Sequence, residues 1–388
     1  MTRPTIPAER YGERLGRARA AAASAGLDAL LVGVGADLRY LAGYAALPLE
    51  RLTLLVVPTA DGAPLTLIAP RLEAMPARSC PAAATGALTV ATWEETEDPI
   101  ALVARVLDDA SGRSASSLAS VAVSDGMRAA FVLGLQGVLP GARFSLASAV
   151  LAPLRRRKDV DEIALLREAA HAADRVVSHI IGGRLVGRTE ADIAREVRDR
   201  LVAEGHDHAD FAIVASGPNS ASPHHEAGDR VIGPGDPIVI DIGGPLGGYG
   251  SDITRTILID GGKPRDADDF GRLYRVLFGA QAAATAAVRP EVTGAQVDAV
   301  ARGIIAAAGY GPNFIHRTGH GIGLEAHEEP YLVAGNDGPL EIGDAFSIEP
   351  GIYLEGRFGA RIEDIVVCGE DGPIILNETT RNLLVVSG

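Results

Sequence analysis

The sequence predicts an α/β domain over residues 1–150 and a larger α+β domain over residues 151–388 with an internal pseudo-twofold repeat. Three observations predict this. At 388 residues the chain is longer than a single hydrophobic core usually serves. Short apolar runs alternate with helical stretches in the first part. In the second part, two helix starts and two apolar strands recur at nearly constant offsets.

Taken in order, residues 10–26 read as an Ala-rich amphipathic helix closed by Gly26. LDALLVGV, RLTLLVVP, PLTLIA, ALTVATW and SVAVSD read as short strands. GVGADL follows a strand as a dinucleotide-binding turn would. It lacks the third glycine, and no phosphate-loop lysine accompanies it. DLRYLAGY, Asp37 to Tyr44, reads as fold core. The basic run Arg155 to Lys158, flanked by acids, reads as a solvated linker or helix start. Beyond it Ile163, Leu166, Ala170, Ala173 and Val177 recur at helical spacing, and Gly182 and Gly183 end the helix. His171 and His179 on that helix read as packing or surface residues. HDHAD, His206 to Asp210, reads as a polar loop.

Composition excludes several classes. A net charge of −14 argues against nucleic-acid binding, which needs clustered Lys and Arg. No run of 18 apolar residues is present, so no membrane span is expected. The N-terminus has no apolar signal core, and two cysteines outside any CxxC pattern fit a reducing cytoplasm.

The repeat leads to the chemistry. Thr189 with Asp192, and Thr293 with Gln296, are helix-capping pairs at an offset of 293 − 189 = 104. Gly205 and Gly309 end the two helices at the same offset. GDPIVID and GDAFSIE each run from Gly-Asp through an apolar strand to an acid, Asp241 in one and Glu349 in the other. Burying a carboxylate after an apolar run is costly unless something positive neutralises it. Each half then turns through glycines into a strand with a second acid, Asp252 or Glu363. Four convergent carboxylates would repel one another, and two divalent ions would balance them. His320, in the dense stretch HRTGHGIGLEAHEEP, would add one imidazole. Four oxygen donors and one nitrogen, with no thiolate, favour manganese, cobalt, iron or zinc.

The motifs DIGG, SDITRT, HRTGHGIGLEAHE, SIEPGIY and RIED, in this order, resemble the pita-bread metallopeptidases, the family of methionine aminopeptidase, aminopeptidase P and prolidase. The N-terminal domain resembles the extra domain of the proline-specific, creatinase-like branch. The resemblance implies two divalent metal ions per subunit, with manganese the first expectation. Asp241 and Glu363 would bridge them, Asp252 would bind one, and His320 and Glu349 the other. It also implies that His327 and His224 stabilise the charge developing on the substrate, and that His316 lines the pocket after the scissile bond. His225 is then a neighbour. Arg317 follows His316 where many prolidases have glycine.

The implied activity is hydrolysis of the bond between an N-terminal residue and proline, as an Xaa-Pro aminopeptidase or dipeptidase. A metal-bridging hydroxide would attack, and Glu349 would carry the proton. Arg317 and Arg357 are candidate cations for a dipeptide's free carboxylate. Arg361 is expected to orient Glu363, and Tyr249 to be core or pocket wall. The partners implied are a peptide with proline in second position and a second copy of the chain, with no nucleic acid and no membrane. The resemblance also implies that the segment Asp37 to Tyr44 lies near a neighbouring subunit's cleft, with a minor role there. Two other functions compete: metal-dependent hydrolysis of a C–N bond in a small metabolite on the same fold, and non-enzymatic binding.

Overall fold

The computed structural model describes residues 3–112 and 114–387. The chain forms two compact units, one of residues 6–155 and one made by the rest of the chain.

In the first unit a helix, Ala8–Ser24, precedes β1 (Ala29–Gly33), β2 (Leu54–Pro58), β3 (Thr66–Pro70), β4 (Thr89–Trp93), β5 (Ser120–Val123) and β6 (Arg143–Leu146). The sheet order is β4-β3-β2-β1-β5-β6. β1 to β3 are antiparallel neighbours, and β4, β5 and β6 join in parallel. β1, β2 and β3 are buried along their whole length, as expected of continuous apolar runs covered on both faces. In DLRYLAGY, Leu38, Tyr40, Leu41 and Ala42 are buried on the helix Ala36–Ala42, so this segment is core.

The second unit repeats a helix–helix–strand pattern. The helices Val160–Gly182 and Glu190–Ala203 lead into β7 (Phe211–Ser216), β8 (Pro237–Leu246) and β9 (Tyr249–Ile259). The helices Pro264–Ala287 and Gly294–Ala307 lead into β10 (Gly319–Gly321), β11 (Glu328–Leu332) and β12 (Ala345–Ile348). Then come β13 (Gly351–Leu354), β14 (Phe358–Arg361), β15 (Asp364–Gly369), β16 (Gly372–Ile375) and β17 (Val385–Val386). The capping boxes at Thr189 and Thr293 both form, each residue accepting from the backbone amide three positions on. The sheets are β17-β9-β8-β7 and β11-β10-β12-β15-β16, with β13-β14 a separate hairpin. A single bridge between Thr254 and Glu363 joins them. Each side of this junction has its own apolar core. Ile193, Val197, Ile240 and Ile253 lie in one; Val297, Ala301, Phe346 and Val366 lie in the other.

Two readings from sequence are corrected here. The basic run is not solvated. Arg155 pairs with Asp37 in the first unit, while Arg156 pairs with Asp344 and Lys158 Nζ sits 2.5 Å from Glu328 in the second. Only Arg157, on Glu341, stands in the open. The acids flanking the run in sequence suggested local, solvated charge, whereas the partners lie far along the chain. HDHAD is a loop as expected, with Asp207, His208 and Asp210 exposed, but His206 at its start does not face solvent. It is buried, with Nε2 2.8 Å from Ser251 Oγ and Nδ1 on the Leu201 carbonyl, and burial pushes its pKa down to about 4. His171 and His179 do lie on the surface, beside Glu378 and Glu196. Among the described residues, no helix is long and apolar enough to cross a membrane.

Candidate metal centre

The register of the strands dictates which acids can meet. β8 and β9 form a hairpin in which Asp241 faces Thr254 and Gly243 faces Asp252. Facing residues share a side of the sheet, and side chains alternate along each strand. Asp241 and Asp252 therefore project from the same side, as diagonal neighbours. β12 and β15 are antiparallel, with Ile348 opposite Asp364. One step further in that register sets Glu349 opposite Glu363. Sequence suggested a simple hairpin between these two acids. In the structure the intervening chain leaves the ladder as β13-β14, and the acids stay at the ladder's end. The Thr254–Glu363 bridge then brings the two ends together.

His320 arrives on the short strand β10, next to β12. A Cβ on Gly319 would lie 1.9 Å from the Ser347 carbonyl oxygen, and one on Gly321 2.4 Å from the Glu328 carbonyl oxygen. The glycines on either side of the histidine are there because the neighbouring backbone leaves no room for a side chain.

Asp252, His320 and Glu363 offer atoms that all lie within 4.8 Å of one another, and all three residues are buried. His320 Nε2 lies 3.5 Å from Asp252 Oδ2 and 3.3 Å from Glu349 Oε1. His320 Nδ1 faces the Gly321 carbonyl at 3.1 Å and so carries the proton, leaving Nε2 as a lone pair aimed at those oxygens. Burial, and then the neighbouring His327, push its pKa down to about 3, so the ring is neutral. Asp241 Oδ1 is buried with no hydrogen-bond partner. Acceptors face acceptors here, and a cation is the species that satisfies them all at once. On chemistry and placement, the residues fit divalent ions.

The carboxyls show the strain of the metal-free arrangement. Burial, with the charges of Asp241 and Glu349, holds Asp252 well above the usual carboxylate range. Burial, with Asp252, Glu349 and Asp241, does the same to Glu363. Burial raises Glu349 to about 7, with Asp241 adding to the shift and Arg361 opposing it. A carboxyl whose folded pKa is raised stabilises the fold fully below its unfolded value, about 4, and loses that contribution as pH rises through the folded value. The metal-free protein therefore loses stability from these groups between about pH 4 and 7 and above. Bound cations remove the penalty. The rise in melting temperature on adding Mn²⁺ is expected to be larger at pH 8 than at pH 5.5. Equal rises in thermal unfolding at the two pH values would show that protons and cations do not compete for these oxygens.

Surrounding side chains hold the candidate ligands in place, and of these Thr254, Tyr353 and Asp298 were not singled out from sequence. Arg361 was expected to orient Glu363. Instead it donates to Asp241 Oδ2 at 2.5 Å, to Tyr353 Oη at 2.7 Å and to Thr254 Oγ1 at 3.1 Å. Glu363 is held by Thr254, whose hydroxyl donates to it at 2.8 Å. Thr254 and Tyr353 lie within the motifs SDITRT and SIEPGIY, and the alternation of β9 already put Thr254 on the side of Asp252. Buried Asp298 accepts from the Thr318 amide and hydroxyl, fixing the approach to β10. Tyr249 is core, donating to Glu162.

The remaining histidines ring the cluster. The His327 and His320 rings are 4.0 Å apart between centroids. His316 Nε2 accepts from Tyr353 Oη and its Nδ1 donates to the Arg317 carbonyl; burial, with Arg361 nearby, pushes its pKa down to about 4. His224 is exposed, close enough for its charge to bear on His316 and His327. His225 instead contacts buried Glu190 at 2.7 Å, which also accepts from Ser216 and Asn219 and so pins the loop that presents His224.

A duplicated domain whose two halves each contribute acids to one buried acceptor cluster is the pita-bread class of metallopeptidase. The chain belongs to metallopeptidase family M24, whose model matches residues 164–370, and residues 14–157 match the Creatinase/Prolidase N-terminal domain. The Probable dipeptidase PepE of Mycobacterium tuberculosis is 49% identical over 383 residues, covering 98% of this chain and 97% of the relative. The crystal structure of dipeptidase PepE from Mycobacterium ulcerans superposes with a TM-score of 0.90 at 45% identity, covering 100% of both chains. A prolidase from Thermococcus sibiricus superposes with a TM-score of 0.86 at 35% identity, over 97% of this chain and 99% of that one.

Proposed function

We propose that this chain is a dinuclear metallo-exopeptidase that hydrolyses the bond between an N-terminal residue and proline. The observation that carries the reading is the all-acceptor cluster of Asp252, His320 and Glu363, with Glu349 and the unpartnered Asp241 Oδ1 beside it. In this reading Asp241, Asp252, His320, Glu349 and Glu363 would hold the ions. Two divalent cations, when bound, supply charge that polarises a carbonyl and acidifies water.

The chain's own residues do the rest. Glu349 takes a proton from the water that attacks the carbonyl carbon and delivers it to the leaving nitrogen as the C–N bond breaks. Arg317 approaches His327 Nδ1 at 3.5 Å, which leaves the proton on Nε2 and makes that ring a donor to negative charge on the carbonyl oxygen. His224, exposed and near enough for its charge to reach His327, is a second donor. Both His316 nitrogens are occupied, so it offers the substrate a ring face, suited to the apolar proline ring. The oxygen-rich ligand set supports manganese. The two free, buried cysteines support a reducing cytoplasm, and the family resemblance supports a homodimer.

Metal-free protein reloaded with Mn²⁺ is expected to cleave Ala-Pro at least about tenfold faster than Ala-Ala, the discrimination a shaped apolar pocket gives. It should do nothing without metal. Equal rates on the two dipeptides would remove the proline specificity. Turnover of small guanidino compounds or cyclic amides alone would replace the peptidase with a metabolite hydrolase.

A further inference from the structure

After β16 the chain crosses from the second repeat back to the first, as a strap over residues 376–386. It leaves β15 where the Leu376 amide bonds the Ile365 carbonyl and the Ile365 amide bonds Asn377 Oδ1. It ends in β17, which runs parallel to β9 with Val385 opposite Leu258. Between these points the Glu378 and Thr379 amides donate to Asp174, on the helix Val160–Gly182, at 2.7 and 3.1 Å. Tyr274, on the helix Pro264–Ala287, donates to the Arg381 carbonyl at 2.9 Å. Both repeats therefore grip the strap.

Under the strap lies Arg255, 2% exposed. Strand alternation sets Arg255 on the side of β9 away from Thr254, and Asp364 on the side of its strand away from Glu363. The junction of the repeats is thus clamped on two sides. On the cluster side the Thr254 hydroxyl donates to the Glu363 carboxylate. On the far side Arg255 Nη2 donates to Asp364 Oδ1 at 2.6 Å, and Nη1 to the Thr254 and Glu363 carbonyls at 2.9 and 2.6 Å. The remaining N–H groups go to the strap, Nη2 to the Thr379 carbonyl at 2.7 Å and Nε to the Thr380 carbonyl at 3.0 Å. Every N–H of the guanidinium is engaged. Without the strap those last donors would be buried with no acceptor, a penalty that draws the side chain away from Glu363.

We propose that Arg255 is a positioning residue for Glu363, held in place by the strap, so that the affinity for metal depends on the C-terminal segment. The inference rests on the metallopeptidase reading above. Arg255 bonds the Glu363 carbonyl rather than its carboxylate, so it acts by fixing where that carboxylate stands. Coupling of this kind is reciprocal: ions that need Glu363 in place also tighten the strap.

The test measures the Mn²⁺ dissociation constant of metal-free wild type, Arg255→Lys and Asp174→Asn by titration calorimetry, with the fold of each checked by circular dichroism. Lysine keeps the charge but cannot span the strap, Asp364 and both junction carbonyls at once. Affinity should fall about 10- to 100-fold in Arg255→Lys, the range for groups that support a ligand. Asp174 reaches the junction through the strap, and Asp174→Asn should weaken binding by about 2- to 30-fold. In the wild type, Mn²⁺ should slow hydrogen exchange at the Glu378 and Thr379 amides by about 5-fold or more, and by more than at β7 on the opposite edge of the same sheet. Unchanged affinity in both variants, whatever stability they lose, overturns the proposal and leaves the strap a staple of the fold. Should Arg255→Lys fail to fold, unchanged affinity in Asp174→Asn with unaltered strap exchange in the wild type overturns it equally. A wild type that binds no Mn²⁺ overturns the metallopeptidase reading itself.

Discussion

Asp252→Ala is expected to lose bound metal and turnover together. Asp252 is buried within 4.8 Å of both His320 and Glu363, so its removal takes one donor from the centre of the cluster and leaves no exposed side chain to replace it. Groups that only support a metal ligand typically cost 10- to 100-fold when removed. Loss of a ligand should exceed that, with activity falling by more than about a thousandfold. Stability tells the chemical loss from a folding defect. The Asp252 carboxyl is strained in the metal-free protein, where burial and the charges of Asp241 and Glu349 oppose its ionisation. Metal-free Asp252→Ala should therefore unfold at a urea concentration equal to or above that of metal-free wild type. A variant that keeps its full metal complement and a tenth or more of its turnover would exclude Asp252 as a ligand.

The second large effect is on the fold itself. Arg361→Met should destabilise the metal-free protein by about 3–5 kcal/mol, the range for removing one partner of a buried ion pair. Arg361 is 3% exposed and supplies donors to Asp241, Tyr353, Thr254 and the Pro223 carbonyl. Methionine fills much of the volume but leaves the Asp241 carboxylate buried without its counter-charge. Adding Mn²⁺ should recover part of the loss, since the cations neutralise the same carboxylate. Equilibrium urea unfolding with and without metal reads both quantities. A change below about 1 kcal/mol would place the pair in the class of solvated surface bridges.

The parts legible in the sequence are those governed by short range. Four strands of the first unit, β1, β2, β3 and β5, stand out as apolar runs because they are buried along their whole length, and β4 reads as a strand although only Trp93 of it is buried. β6 does not, since three of its four residues are exposed and it lies at the sheet edge. The capping pairs at Thr189 and Thr293 are local by nature, and both form as their spacing indicates. The acids at the ends of apolar strands were conspicuous because nothing local compensates them. Their compensation was illegible for the same reason. Arg361 lies two residues before Glu363 in sequence, yet it serves Asp241, 120 residues away. Arg156 and Lys158 find Asp344 and Glu328 across 188 and 170 residues. A charge run reads as solvated until the fold supplies such distant acids.

The bridge between Thr254 and Glu363 has a consequence for how the protein matures. Because Asp241 and Asp252 come from one repeat and His320, Glu349 and Glu363 from the other, neither half alone carries the whole acceptor cluster. In the proposed reading, a cation would then be retained only once the two halves have docked, so loading would follow folding.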